Sequence, residues 1–362
     1  MRPGRQEIAE RRNWNLCLEE TLLPPKRILV SGGAGFIGSH TCVELLREGY
    51  EVAVVDNLSN SAMSIIHAVG AVAGAEPIFH HCDLLDRVEL SRLFCEFAPD
   101  VVIHFAGLKS VVESTERPLD YFDVNVYGTI NVLRAMADCG CSLMIFSSSA
   151  TVYGEPVYIP CDEGHPTDPA NPYGVSKLLA EKVIAEWALS NDANSAIIFR
   201  YFNPVGAHVS GKLGEDPTGP ANNLMPVILD IVSGKREVLE IYGNDYNTVD
   251  GTGVRDFIHV MDLARAHVLG IEHLSEVQDS EIFNLGTGQP TSVMQLVSAF
   301  EEVSGQKVNV KFVGRRLGDV GEVWTSNASA KKILGFETRF SLHDMCAHAY
   351  QWIKRNASTS NK

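Results

Sequence analysis

Two side chains one helical turn apart define the chemistry to look for. Asn171-Pro172-Tyr173-Gly174-Val175-Ser176-Lys177 reads as the opening of a helix. Asn171 suits the N-cap, and Pro172 the first helical position, where its missing N–H costs nothing. Tyr173 and Lys177 then stand at i and i+4 on one face. An ammonium beside a phenol favours the phenolate, and so does the positive ring of an oxidised nicotinamide. Bringing a phenol from ~10 to near neutrality takes about 4 kcal/mol of such preference, at roughly 1.36 kcal/mol per unit. On this expectation Tyr173 is a general base poised for an alcohol proton. Ser149, where an apolar run ends in Ser147-Ser148-Ser149, is placed to bridge the phenol to a substrate oxygen. The same Tyr-x-x-x-Lys spacing at Tyr350 and Lys354 lacks this company and reads as the face of a C-terminal helix.

Such a base needs a partner that accepts electrons, and the first part of the chain supplies a place for one. The run Ile28-Leu29-Val30-Ser31 enters a turn with glycines at 32, 33, 35 and 38, and a helical pattern leaves it. Glycines let the backbone turn tightly and approach a pyrophosphate, and the helix N-terminus offers unpaired N–H groups. A second run, Val52 to Val55, ends at Asp56, 18 residues past Gly38, about where a dinucleotide fold places the carboxylate for a ribose 2′-OH. A carboxylate there repels a 2′-phosphate, and no Arg follows at 57 or 58, so the sequence favours NAD over NADP.

Further apolar runs at 77–80, 101–105, 143–147 and 196–201 alternate with helical patterns at 86–97, 121–138 and 172–189. This alternation predicts an α/β fold: a doubly wound, Rossmann-type parallel sheet whose ligands bind beyond the strand carboxyl ends. After about 203 the pattern loosens into a smaller mixed α/β substrate domain, with a helix near 224–233. The run Glu281 to Leu285 is expected to return to the main sheet. The expected division is a polar extension (1–25), a cofactor domain (26–202), a substrate domain (203–355, with segments returning to the first) and a disordered tail (356–362).

Composition excludes several classes. With 30 Lys+Arg against 45 Asp+Glu, the formal charge of −15 makes nucleic acid and anionic membranes poor partners. No apolar run is long enough to span a bilayer. Arg at 2, 5, 11 and 12 is balanced by Glu at 7, 10, 19 and 20, which is unlike a signal or transit segment. The expected location is the cytoplasm. Eight scattered cysteines without a C-x-x-C read as buried free thiols of a reducing compartment. His80-His81-Cys82-Asp83 is set aside as a metal site because adjacent strand residues point to opposite faces. The sequons at Asn327 and Asn356 read as chance.

The glycine loop, Asp56, Ser149, Tyr173 and Lys177 resemble the extended short-chain dehydrogenase/reductase family. Further segments narrow the resemblance to its branch that epimerises sugar nucleotides: Phe105-Ala106-Gly107-Leu108-Lys109, Ser147 to Gly154, Tyr201-Phe202-Asn203-Pro204, Asn222-Asn223-Leu224-Met225-Pro226, Gly253-Val254-Arg255-Asp256 and Arg315-Arg316-Leu317-Gly318-Asp319. It covers about residues 26–355. It implies NAD-dependent interconversion of UDP-galactose and UDP-glucose: oxidation at C4, rotation of the 4-keto sugar, and reduction on its other face. It implies that Tyr173, Lys177 and Ser149 are catalytic. It implies cofactor contacts from Gly32, Gly35, Phe36, Ile37, Gly38, Asp56, Asn57, Asp83, Leu84, Phe105, Ala106, Gly107, Lys109, Asn125, Ser147 and Tyr201. The UDP-sugar falls to Lys109, Phe202, Asn203, Asn223, Leu224, Tyr242, Arg255, Arg316, Asp319 and Val323, guanidinium for diphosphate, amide and carboxylate for uracil and ribose. A homodimer through the segments 121–138 and 172–189 is also implied. A 4,6-dehydratase on the same fold would carry Asp-Glu after the serines, where this chain has Ala150-Thr151. A non-catalytic NAD-sensing binder would be expected to lose the Tyr/Lys pair. Val323, four residues past Asp319, is smaller than the Tyr this position can carry, which predicts room for an N-acetyl group at C2.

Overall fold

The computed structural model describes residues 27–360 apart from 217, 218, 220, 222, 317 and 318. The N-terminal extension, with Cys17, lies outside the described residues. In chain order the strands are β1 (Arg27–Ser31), β2 (Glu51–Asp56), β3 (Ile78–His81), β4 (Val101–His104), β5 (Leu143–Ser149), β6 (Ser195–Tyr201), β7 (Asn203–Val205), β8 (Leu239–Tyr242), β9 (Val254–His259), β10 (Ser280–Leu285), β11 (Pro290–Ser292), β12 (Val310–Val313) and β13 (Glu322–Val323). The α-helices are α1 (Phe36–Arg47), α2 (Met63–Ala73), α3 (Arg87–Phe97), α4 (Val111–Glu116), α5 (Pro118–Phe122), α6 (Gly128–Cys139), α7 (Pro172–Leu189), α8 (Leu224–Val232), α9 (Val260–His273), α10 (Val293–Ser304), α11 (Ala328–Leu334) and α12 (Leu342–Ser360).

Seven strands form one parallel sheet in the order β10-β6-β5-β4-β1-β2-β3. The chain starts at β1, builds outward to β3, then crosses back to β4, so the winding reverses between β1 and β4. Alternate residues of the strands enter opposite layers. Ile28 and Val30 pack with α1, α2 and α9, whereas Leu29 and Val55 pack with α3, α6 and α7. Burial on both faces explains why these strands read as unbroken apolar runs. The run at 281–285 joins this sheet as β10, paired in parallel with β6.

The smaller region is built on β9, flanked by β11 and β13 and paired also with β7, and on the pair β8–β12. Its core gathers Ile228, Ile241, Phe257, Phe300 and Trp352 from α8, β8, β9, α10 and α12. The chain passes between the two regions repeatedly: after β6, between β9 and α9, after β10, between β13 and α11, and again before α12.

Three expectations need correction. The segment 121–138 is not one helix: a π-helical turn, Asp123–Tyr127, separates α5 from α6. That turn carries Asn125, whose buried amide is held by the neighbouring loop. The expected disordered tail is, as far as Ser360, the end of α12. Cysteine burial is incomplete: Cys42, Cys82, Cys141, Cys161 and Cys346 are buried free thiols, Cys139 is half-buried, and Cys95 is exposed on α3.

Candidate active site

A cleft of about 1210 Å³ runs along the carboxyl ends of the parallel strands and faces the smaller region. Its first wall is largely backbone. Gly32 has φ of +73°, and a Cβ there would sit 2.5 Å from the Ala106 nitrogen, so only glycine lets β1 turn against the strand across the switch point. A Cβ on Gly38 would meet the Gly32 carbonyl oxygen at 2.3 Å, so glycine is what allows α1 to sit on the loop. No side chain caps α1 at Gly35, which leaves its first N–H groups facing the cleft. Asp56, at the end of β2, is already oriented. One carboxylate oxygen accepts from the Ala34 N–H at 3.0 Å, the other from the Leu58 N–H at 2.9 Å and the Ser61 hydroxyl at 3.2 Å. Asn57 donates to Asp83 at 2.9 Å, and the Leu84 carbonyl is held by Asn131 at 3.0 Å. Open helix N–H groups, a fixed carboxylate and a switch-point crevice together fit a dinucleotide with a free ribose diol.

The predicted catalytic side chains meet at the centre of the cleft. Asn171 caps α7 by accepting from the Gly174 N–H at 2.9 Å, and Pro172 occupies its first turn. Lys177, one turn on, is buried, donates to the Ser147 carbonyl at 2.8 Å and lies 5.0 Å from the Phe146 ring centre. Burial pulls its ammonium down to about 8, against the opposing charge of Glu181. Ser149 ends β5 and accepts from the Thr151 N–H and hydroxyl at 3.2 and 3.0 Å. The Tyr173 phenol stands above its ordinary value: burial raises it, and the neighbouring Ser149 hydroxyl only partly offsets this. The expected lowering of the phenol rests on Lys177 together with an oxidised nicotinamide, not on Lys177 alone. In the protein alone, desolvation disfavours both charges, phenolate and ammonium alike.

Behind these residues lies a buried polar support that the sequence reading missed. Glu181, one turn past Lys177, binds Arg200 at 2.7 Å and accepts a short hydrogen bond from Ser148. Arg200 in turn donates to the Tyr153 hydroxyl at 3.1 Å. The i+4 step from Lys177 to Glu181 was the available signal, but strand pairing was needed to bring Arg200 opposite it.

The second wall is made of side chains that hold one another. Phe202, Asn203, Leu224, Arg255, Asp319 and Val323 line the cleft. Arg255 is half-buried, donates to the Val254 carbonyl at 2.8 Å, and feels the charge of Asp319. Glu215, absent from the sequence reading, accepts from Lys109 at 2.8 Å and from Asn223 at 3.3 Å. It lies in a turn-rich stretch where no periodicity marks it.

Three predicted contacts, Tyr242, Arg316 and Asn125, lie off the cleft lining. Tyr242 and Arg316 stand off the cleft lining: the Arg316 guanidinium lies 4.0 Å from the Tyr242 ring centre and reaches the cleft only through Asp319, at 3.7 Å. Asn125 is buried and spent on structure, accepting from the Leu108 N–H at 2.8 Å and donating to the Leu108 carbonyl and the Ser176 hydroxyl at 3.0 and 2.9 Å. Tyr201 lines the cleft, but its hydroxyl is bound to His267 at 2.6 Å. Leu317, Gly318 and Asn222 of the quoted motifs lie outside the described residues.

A nucleotide crevice joined to a Ser/Tyr/Lys centre defines an enzyme class, and the family comparison agrees. Residues 28–286 match the model of the NAD dependent epimerase/dehydratase family, and the chain belongs to it. It is 47% identical over 331 residues to the UDP-glucose 4-epimerase of Bacillus subtilis (strain 168), covering 91% of this chain and 98% of that one. The UDP-glucose 4-epimerase of Stenotrophomonas maltophila, crystallised with NAD and formylated UDP-arabinopyranose, superposes with a TM-score of 0.90 at 44% identity, over 92% of this chain and 99% of that one. The epimerase of Bifidobacterium longum, in complex with NAD+ and UDP, gives 0.89 at 41%, over 91% and 99%.

Proposed function

We propose that the protein interconverts UDP-galactose and UDP-glucose by NAD-dependent inversion at C4. The observation that carries this is the Ser149–Tyr173 pair over Lys177, set between a dinucleotide crevice and a wall bearing Arg255 and Asp319. NAD, when bound, supplies reversible oxidation at C4, held by the glycine loop, the α1 N-terminus and Asp56. Tyr173 takes the 4-hydroxyl proton and returns it, with Ser149 bridging phenol and sugar oxygen. Lys177 orients this centre from the Ser147 carbonyl. Arg255, with Asp319 and Arg316 behind it, meets the diphosphate end. The 4-keto sugar turns between the two proton transfers, so the sugar leaves inverted.

Incubation of the purified protein with UDP-galactose tests the reading. UDP-glucose is the expected product; a 4-keto-6-deoxy sugar or accumulating free NADH overturns it. Thr151 stands where a dehydratase places an acid, which disfavours that alternative.

A second reading concerns the N-acetylated UDP-sugars. Val323 lines the cleft beside Val152, Tyr153 and Phe202. The neighbouring Trp324 does not refill the space, since its indole N–H donates to Glu322 at 2.9 Å and its carbonyl accepts from Cys161. We therefore extend the substrate range to UDP-N-acetylgalactosamine and UDP-N-acetylglucosamine.

The boundaries 26–202 and 203–355 remain our division of the chain. A homodimer through the segments 121–138 and 172–189 is supported by the exposed apolar Tyr127 and Leu179, and sedimentation would measure it. No helix among the described residues is long and apolar enough to cross a membrane; a cytoplasmic location is part of this proposal.

A further inference from the structure

Glu215 stands where an anionic ligand would least favour a carboxylate. Its side chain lines the cleft at 10% exposure, and it binds two groups that the sequence assigns to ligand contact. Lys109 arrives from the loop after β4, on the cofactor side, and Asn223 opens α8, on the substrate side. One carboxylate thus spans the mouth of the cleft. Its backbone is pinned just ahead of it: a Cβ on Gly214 would meet the Trp352 ring at 2.6 Å, so the loop lies flat against α12.

An asparagine at an N-cap ordinarily turns its side-chain oxygen onto the N–H groups of its own helix. Asn223 has the extended backbone of a cap, with φ of −86° and ψ of 153°, yet makes no such bond. Its amide nitrogen donates to Glu215, and the third helical position is Pro226, which has no N–H for a cap to hold. The first N–H groups of α8 are left uncapped beside Leu224 and Met225, which line the cleft.

We propose that Glu215 is a positioning residue for the UDP-sugar. It braces Lys109 against Asn223, fixing both side chains that the sequence assigns to the ligand. This rests on the UDP-sugar reading. A carboxylate that merely filled the anion site until the ligand displaced it would have the opposite effect on affinity, because its removal would free Lys109. The pinned Gly214 favours a fixed brace.

Calorimetric titration of UDP, with kinetics on UDP-galactose, separates the two. Glu215→Gln keeps the shape and removes the charge. It is expected to weaken UDP binding about fivefold, the modest scale set by a half-exposed Lys109. KM should rise by a similar factor, with kcat changed less than about twofold. Glu215→Asp, charged but one methylene shorter, should fall between. In an Asn223→Ala background the effect of Glu215→Gln should shrink, since both act through one contact. Unchanged or tighter UDP binding in Glu215→Gln, or full additivity with Asn223→Ala, overturns the proposal. UDP binding is read without turnover, so a wild-type protein that binds UDP but does not epimerise defeats the functional reading and leaves this test standing.

Discussion

The two walls of the cleft are built by different means. The wall proposed for the cofactor is largely main chain: glycines that allow close approach, helix N–H groups, and one carboxylate fixed by two backbone donors. The wall proposed for the substrate is made of side chains whose positions depend on each other: Lys109 on Glu215, Asn223 on Glu215, Arg316 on Asp319 and Tyr242. A main-chain wall is rigid because the sheet fixes it. A side-chain wall can change what it accepts by one substitution.

The largest expected effect lies where the walls meet. Tyr173→Phe should slow epimerisation by roughly 10²–10⁴-fold, the range for a lost acid–base group, while NAD still binds. Near-normal turnover in the purified variant would remove Tyr173 from the chemistry. Next comes the adaptable wall. Val323→Tyr should lower kcat/KM for UDP-N-acetylgalactosamine on the order of 10²-fold and leave UDP-galactose within a few-fold, since a steric block costs more than a lost contact. No wild-type turnover of the acetylated sugar, or full activity on it in the Tyr variant, refutes the pocket assignment. A single side chain counts for less on the main-chain wall: Asp56→Ala should weaken NAD about tenfold and relax discrimination against NADP, as measured by titration with both cofactors. Unchanged affinities would mean that the backbone alone selects the nucleotide.

The smallest effect at neutral pH belongs to the seam between the two regions, where His259 of β9 meets His348 of α12 at 3.0 Å and lies near His40 of α1. Burial holds His40 on α1 at about 4 and His259 at the end of β9 at about 3. Both are neutral when folded, whereas an unfolded histidine binds its proton near 6.5. The unfolded chain therefore takes up more protons on acidification. The contribution of these groups is complete above about pH 6.5 and declines as pH falls from there towards 4. Thermal melts across pH 5 to 8 should show a falling Tm on the acid side. A Tm flat over that range would mean the seam opens to water.

The same contrast explains what could be read from residues in a row. Glycines at 32, 35 and 38, Asp56 at a strand end, and Asn171-Pro172 opening α7 are local signals, because the backbone geometry they serve is local. The parallel sheet followed from apolar runs buried on both faces. Glu215 gave no signal, since its meaning comes from Lys109, distant in sequence, and from the Asn223 amide, which only the folded chain brings to it. Asn125 was read as a cofactor contact, yet its amide is consumed by Leu108 and Ser176 through a π-turn that no periodicity announces. For Tyr173 the sequence supplied the neighbouring charge but not the depth of burial, and burial dominates.

The repeated passage of the chain between its two regions also bears on the sugar. Two bodies joined by one linker can swivel; bodies stitched together after β6, β9, β10 and β13 and again before α12 share their motions. Such a frame does not turn a substrate over by rotating one wall against the other. The turning is left to the ligand itself, about the single bonds between sugar and phosphate. The cleft then has to grip the nucleotide at one end and leave the other end loose enough to roll.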